Sequence, residues 1–259
     1  MTVTRAQITR RASEQGVPAK TVERDYVLAH AVAGIAELGD PRIVFKGGTS
    51  LRMLHFENYR YSADLDYSLT EGLTQEEALG LIDRALTAVK AADNSFDDLR
   101  IVEGKSPRIA YVGPLGKERK IKLDLADDEL VRNVEERPLL SLWPDLPPVT
   151  VRTYTLLEVA GEKLRCVLQR LQCRDLYDLH LLLAGHGEVD PAEAAALFGD
   201  KAIHRNLDPD SFSERFAQRV EQYAKRWERE LSEHVPEEIP HFSKVEREVS
   251  RALRQAGLL

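Results

Sequence analysis

The chain has 259 residues, 43% of them hydrophobic and 31% charged, with 36 Lys and Arg against 43 Asp and Glu and a formal net charge of −7. That balance excludes pervasive disorder and a binder that holds nucleic acid by overall charge alone, while leaving room for a local basic groove. No stretch approaches the roughly 18–20 uncharged apolar residues of a bilayer helix, and the opening MTVTRAQITRR has no apolar core behind its basic residues, so a cytoplasmic protein with no membrane partner is expected.

Apolar residues at helical spacing from Val22 to Ala36 predict a helix over Thr21–Leu38, followed by a short strand at Ile43–Phe45 and a glycine turn at Gly47-Gly48. Thr49–Leu54 then reads as a helix start, Asp64–Leu69 as a strand, Gln75–Ala91 as a helix and Leu99–Glu103 as a strand. Arg108–Val112 and Lys120–Leu125 read as a hairpin pair. The proline-rich stretch Pro138–Pro148 is the candidate linker. Beyond it the pattern is helical, over Leu156–Leu171, Asp175–Ala184, Pro191–Leu197, Ser211–Ser232 and Phe242–Ala256. The fold class expected is α/β (α+β), with an α/β domain at 1–148 and a helical domain at 149–259. Cys166 and Cys173 lack metal or redox spacing and read as core thiols. His55, His180 and His186 are scattered without ligand pairing, and Tyr223 with Trp227 reads as a core stripe.

Chemistry concentrates in Ile43–Tyr67. Alternate residues of a strand share a face, so Asp64 and Asp66 project together while Leu65 and Tyr67 point away. Two such carboxylates repel each other unless a cation chelates them, and magnesium is typically held by one or two protein carboxylates plus water and phosphate. On spacing alone a solvated strand face remains the alternative. Gly47-Gly48 lies directly after an apolar strand and before Thr49-Ser50, where backbone can approach a ligand and helix-start N–H groups attract phosphate. An ordinary capped helix is the alternative there. Neither GxxxxGK[ST] nor GxGxxG is present, which disfavours a P-loop or dinucleotide-binding protein.

Phe45-Lys46-Gly47-Gly48-Thr49-Ser50-Leu51-Arg52 and Tyr59-Arg60-Tyr61-Ser62-Ala63-Asp64-Leu65-Asp66-Tyr67 resemble the FKGGTxLR and RFSxDLD motifs of the AbiEii/AbiGii-type nucleotidyltransferase toxins, which include the MenT toxins. Glu162-Lys163-Leu164-Arg165 and Arg174-Asp175-Leu176-Tyr177-Asp178-Leu179 are similar to the family's EKLR and RDLYDL elements, and Glu23-Arg24-Asp25-Tyr26-Val27-Leu28 to its EKDYVL helix. The resemblance covers about residues 20–185 and leaves the far C-terminus unmatched. Tyr61 stands where Phe is usual, Gly161 where Ala is usual, and Arg24 where Lys is common.

The resemblance implies a nucleotidyltransferase-like mixed sheet with flanking helices, then a helical domain completing the nucleotide and acceptor cleft. It implies transfer of a nucleoside monophosphate from an NTP, with Mg2+ in a site of one or two ions, to an RNA acceptor such as the tRNA 3′ end. A cognate antitoxin is expected as partner. Asp64 and Asp66 become metal ligands, and Asp124, on the same strand side as Lys120 and Lys122, the third ligand or base. Lys46, Gly47, Gly48, Thr49, Ser50, Arg52 and Ser62 become nucleotide-binding candidates. Lys163 and Arg170 lie on one helical stripe, joined by Arg174 if the helix continues, as a triphosphate clamp, and the resemblance makes Lys163 and Asp175 catalytic. Ser62 is a phosphate ligand, a phosphorylation site or a turn serine, all three open. Lys117, Arg119, Lys120 and Lys122 form one basic edge, and Lys163, Arg165, Arg170 and Arg174 another. A small-molecule or protein acceptor, or a non-catalytic binding role, are the rival readings.

Overall fold

The computed structural model describes residues 3–92, 96–102, 104, 106–185, 188–236 and 238–259. The chain divides into two compact units: Met1–Asp128 with Glu135–Thr153 and His234–Glu237, and Glu129–Val134 with Tyr154–Glu233 and Glu238–Leu259. The last crossing between units before the helices falls at Thr153/Tyr154, five residues beyond the expected 148/149. The proline-rich stretch is not a free linker, since Leu139, Leu142 and Trp143 are buried in the first unit's core.

In the first unit, α1 (Arg5–Glu14) opens with a capping box, Gln7 N–H donating to the Thr4 hydroxyl while Thr4 N–H donates to the Gln7 side chain. It carries few apolar residues beyond Ile8 and Ala12, so its sequence does not predict it. α2 (Ala19–Ala36) is buried along almost its whole length. Then come β1 (Ile43–Lys46), α3 (Gly47–Ser50) running into a π-wound turn at Leu51–His55, β2 (Asp64–Leu69), α4 (Gln75–Ala92), β3 (Asp98–Val102), β4 (Arg108–Val112), β5 (Glu118–Ala126), β6 (Val134–Pro138) and β7 (Thr150–Tyr154). β6 and β7 were not expected, because they flank the prolines and carry little alternating apolar pattern.

The seven strands form one mixed sheet in the order β3-β4-β5-β2-β1-β7-β6. β1 and β2 are antiparallel, β2 and β5 parallel, β1 and β7 parallel, and β3-β4-β5 an antiparallel meander. Period-two alternation gives the sheet two unlike faces. Phe45, Leu65, Tyr67, Leu99, Ile109, Ile121, Leu123 and Leu125 join residues of α2 and α4 in the core. The opposite positions carry Lys46, Asp64, Asp66, Lys122 and Asp124.

In the second unit, α5 (Leu156–Gln169) starts at Thr155, whose hydroxyl accepts from Glu158 N–H. α6 (Cys173–His180) runs into a π-wound turn at Leu181–Gly185. α7 (Pro191–His204), α8 (Phe212–Leu231) and α9 (Phe242–Gln255) follow. α7 extends past the expected Leu197 because Phe198, Lys201 and Ala202 continue its buried face. On α8, Phe212, Phe216, Tyr223, Trp227 and Leu231 form the buried stripe, and Trp227 donates to the Pro240 carbonyl at 2.8 Å. Gly161 of α5 meets α7 closely: a Cβ there would lie 3.0 Å from Leu197 Cγ, which accounts for glycine where the motif usually has alanine. Among the described residues no helix is long and apolar enough to cross a membrane.

Candidate active site

The site's backbone is set by the turn after β1. Lys46 closes that strand directly opposite Asp66. Gly47 follows with φ +81°, a conformation that costs any L side chain, and a Cβ there would lie 2.5 Å from Asp66 Oδ2. Absence of a side chain thus lets backbone and carboxylate share one small volume. Gly47→Ala is expected to cost about 1–2 kcal/mol of stability from the left-handed backbone and at least about tenfold in turnover by displacing Asp66, as equilibrium unfolding and steady-state kinetics would show.

The hydroxyls after the glycines face backbone. Thr49 Oγ1 donates to the Asp64 carbonyl at 2.6 Å, and Ser50 Oγ donates to the Gly47 carbonyl at 2.8 Å, both side chains fully buried. Thr49 ties the turn to β2, and Ser50 closes the turn on itself. Arg52 corrects the expectation of a nucleotide ligand. It is 1% exposed, donates from Nε to Asp25 Oδ1 at 2.5 Å and from Nη1 to the Tyr59 carbonyl, and stacks over the Tyr61 ring at 3.8 Å. Burial opposes its charge, and Asp25 more than compensates. Tyr61, the motif's departure from Phe, gives its hydroxyl to the Gln15 side chain. Arg60, not among the expected site residues, is buried with Nη1 donating to the Tyr61 carbonyl at 3.3 Å, and its guanidinium lies against Gly48, where a Cβ would collide with it. The second glycine therefore makes room for an arginine. Ser62 precedes β2 and is buried, so the argument from strand face does not reach it.

Strand register assembles the acidic face. Asp66 lies between Lys46 on β1 and Asp124 on β5, and Asp64 lies beside Lys122, whose other neighbour is Arg108 on β4. The expected sharing of one face by Asp64, Asp66 and Asp124 is present at the level of backbone register. Ligand geometry is a separate matter: among the described residues no three Asp, Glu, His or Cys side chains converge to hold a metal. Lys122 Nζ instead sits 2.8 Å from Asp124 Oδ2, and the hydrogen bond to Asp124, with the charges of Asp66 and Asp64, raises the lysine's pKa. The donor set, two half-exposed carboxylates one residue pair apart beside a side-chain-free turn, suits a hard divalent ion that completes its shell with phosphate and water rather than an all-protein cage.

The second unit holds its own charged cluster. Lys163 is 6% exposed, with Nζ 2.9 Å from Asp175 Oδ1 and 2.6 Å from Asp178 Oδ2. Arg170 adds a two-pronged contact to Asp175 at 2.8 and 3.1 Å. Burial alone would push the Asp175 carboxyl up, yet Lys163 and Arg170 hold it below its ordinary value. The expected single stripe through Lys163, Arg170 and Arg174 is corrected: α5 stops at Gln169, Arg170 turns extended with φ −135°, and Arg174 belongs to α6. Arg165 is buried against Glu162 and Gln169, and Arg119 pairs with the buried Glu23 at 3.6 Å, which withdraws both from the expected basic edges.

Cys166 and Cys173 are free and buried, their thiols pushed up to about 12 chiefly by burial. His55 is pushed down to about 4 by burial and Arg137, His180 pairs with Glu248 at 2.7 Å, and His186 lies outside the described residues.

MenT4, a nucleotidyltransferase toxin of Mycobacterium tuberculosis H37Rv, has a similar structure over 96% of this chain and 99% of its own, with a TM-score of 0.61 and 19% identity. An antigenic nucleotidyltransferase-like protein from Paracoccidioides brasiliensis is similar over 73% of this chain and 92% of its own, at 15% identity and a TM-score of 0.41. No curated protein matches the chain. The first likeness agrees with the mixed sheet and flanking helices found here. A family model described as the nucleotidyl transferase AbiEii toxin of a type IV toxin–antitoxin system matches residues 32–255, from within α2 through α9, and so reaches the C-terminal helices that no motif had covered. With the glycine turn, the DxD strand and most of the chain accounted for together, this protein belongs to the AbiEii nucleotidyltransferase toxin family.

Proposed function

We propose that the protein transfers a nucleoside monophosphate from an NTP to the 3′ end of tRNA with Mg2+, in the cytoplasm and under the restraint of a cognate antitoxin. Nucleotidyl transfer and an antitoxin partner follow from family membership. The acceptor, the metal and the residue roles are our reading, carried by one observation: register places Asp64, Asp66 and Asp124 on one sheet face beside Gly47.

In that reading Asp64 and Asp66 would hold the metal, whose chemistry would be to offset charge developing on the phosphates and the leaving pyrophosphate. Gly47 leaves the backbone open to the triphosphate, with Thr49 and Ser50 fixing the turn from beneath. The acceptor hydroxyl oxygen bonds to the α-phosphorus as the bond to pyrophosphate breaks. Its proton passes to Asp124 acting as base, or Asp124 serves as third ligand. Lys46, Ser62 and the Lys163, Asp175, Arg170 and Arg174 group are the remaining nucleotide-site candidates, on the strength of the motifs.

Incubation with each labelled triphosphate and total tRNA should place label in RNA, released by 3′-end digestion. Label in protein or small molecules instead would move the acceptor to a rival class, and no transfer with any triphosphate would leave a non-catalytic role. Arg108 and Lys120 are exposed basic side chains of the sheet face that bears Asp64 and Asp124, with no ion pair among the described residues, and are available to RNA. Replacing both with Ala is expected to flatten the dependence of log tRNA affinity on log salt by about one to two units. The triphosphate KM should stay unchanged.

A further inference from the structure

Lys122 occupies an unusual place for a surface lysine. Its strand neighbour on β2 is Asp64, its ammonium is 2.8 Å from Asp124 Oδ2, and Asp124 in turn is the register neighbour of Asp66. Lys122 therefore approaches the carboxylates from which the metal site would be drawn from the β5 side, as Lys46 neighbours Asp66 from the β1 side. Its side chain is 46% exposed, so burial does not force it there. Lys120, two residues earlier on the same strand face, points into solvent with no carboxylate partner among the described residues, which shows that the strand can leave a lysine unpaired.

We propose that Lys122 is a resident counter-cation that competes with the divalent ion for this carboxylate face and keeps metal affinity low until triphosphate supplies further ligands. The inference rests on the metal reading above and adds a function for a residue outside the family motifs. The ammonium holds Asp124 Oδ2, an oxygen the metal site would draw on, and sets positive charge beside Asp64 and Asp66, so ammonium and metal ion compete for one face. Without metal, the lysine offsets repulsion among Asp64, Asp66 and Asp124; with metal alone, its displacement is a cost that weakens binding. Nucleotide adds phosphate oxygens to the ion's shell and turns the competition, so metal and triphosphate should enter together.

The test is titration calorimetry of the full-length protein with Mg2+, and with Mn2+ as a second ion, in the absence of nucleotide. Lys122→Met, which keeps length and removes charge, should bind the ion at least about tenfold more tightly than wild type, the scale expected for deleting a unit charge about 4–6 Å from the site. Lys122→Arg should stay near wild type, as should Lys117→Met in the neighbouring exposed turn. Lys122→Met should also melt earlier than wild type in EDTA and regain the difference when the ion is added. Lys122→Gln provides the same comparison should the methionine variant misfold. Asp66→Asn must lose binding, which locates the ion. Binding by wild type that Lys122→Met and Lys122→Gln fail to tighten overturns the inference alone. No binding by wild type or any lysine variant at millimolar ion overturns the metal reading and the inference with it.

Discussion

Asp64→Asn and Asp66→Asn are each expected to lower nucleotidyl transfer by at least about a thousandfold, a loss of roughly 4 kcal/mol of transition-state stabilisation. Asparagine keeps shape and hydrogen bonding but takes away the charge that would draw a divalent ion to this face. The fold should survive. Both side chains lie on the half-exposed side of β2, while the residues that hold the strand in place, Leu65 and Tyr67, face the core. The Thr49 hydroxyl bonds the Asp64 main-chain carbonyl, which the substitution leaves untouched. Melting temperatures within a few degrees of wild type, with transfer abolished, are the expected pair of results. Wild-type turnover in either variant at saturating Mg2+ would remove the two carboxylates from the site.

Local patterning carried much of this architecture. β2 begins and ends at the residues predicted for it, because DLDYSL alternates between a polar and an apolar face without a breaker inside. KIKLDL alternates likewise, so the face shared by Lys120, Lys122 and Asp124 was legible before any partner strand was known, although β5 runs past the predicted Lys120–Leu125 at both ends, from Glu118 to Ala126. Legibility ended where a side chain's role is decided by a residue far along the chain. Arg52 is claimed by Asp25, 27 residues away on α2, and Arg60 by the bare backbone of Gly48, so one arginine looked like a ligand and the other like motif background. The break after Gln169 gave no warning either, since neither glycine nor proline marks it. β6 and β7 were hidden by flanking prolines, although Thr153 Oγ1 donating to the Phe45 carbonyl at 2.9 Å now ties that segment to the strand preceding the glycine turn.

The second large effect concerns Lys163. Removing it by Lys163→Met leaves Asp178, fully buried, without its lysine partner and Asp175 with Arg170 alone, and breaking a buried ion pair from one side typically costs about 3–5 kcal/mol. For a chain of this size that is a drop on the order of 10 °C in melting temperature. The pH dependence has a definite sign. In the wild type Asp175 is held below its unfolded value, so its contribution is fully present above that value, near about pH 4, and is lost only as pH falls through the lower folded one. In the variant Asp175 loses the part of that lowering due to Lys163 and keeps the part due to Arg170, so the deficit should hold from neutrality down to about pH 4 and shrink only as pH falls below it. Adding Asp178→Asn removes the buried charge that faced Lys163 while Asp175 keeps Arg170, and should recover most of the stability. That double variant separates the two roles open to the lysine. A phosphate contact, as the family motif implies, keeps kcat/KM for the triphosphate at least about tenfold below wild type in the refolded protein, the usual scale of about 1.5–3 kcal/mol for a charge-assisted contact. Kinetics that return to wild type together with stability would make Lys163 a strut between two carboxylates and nothing more.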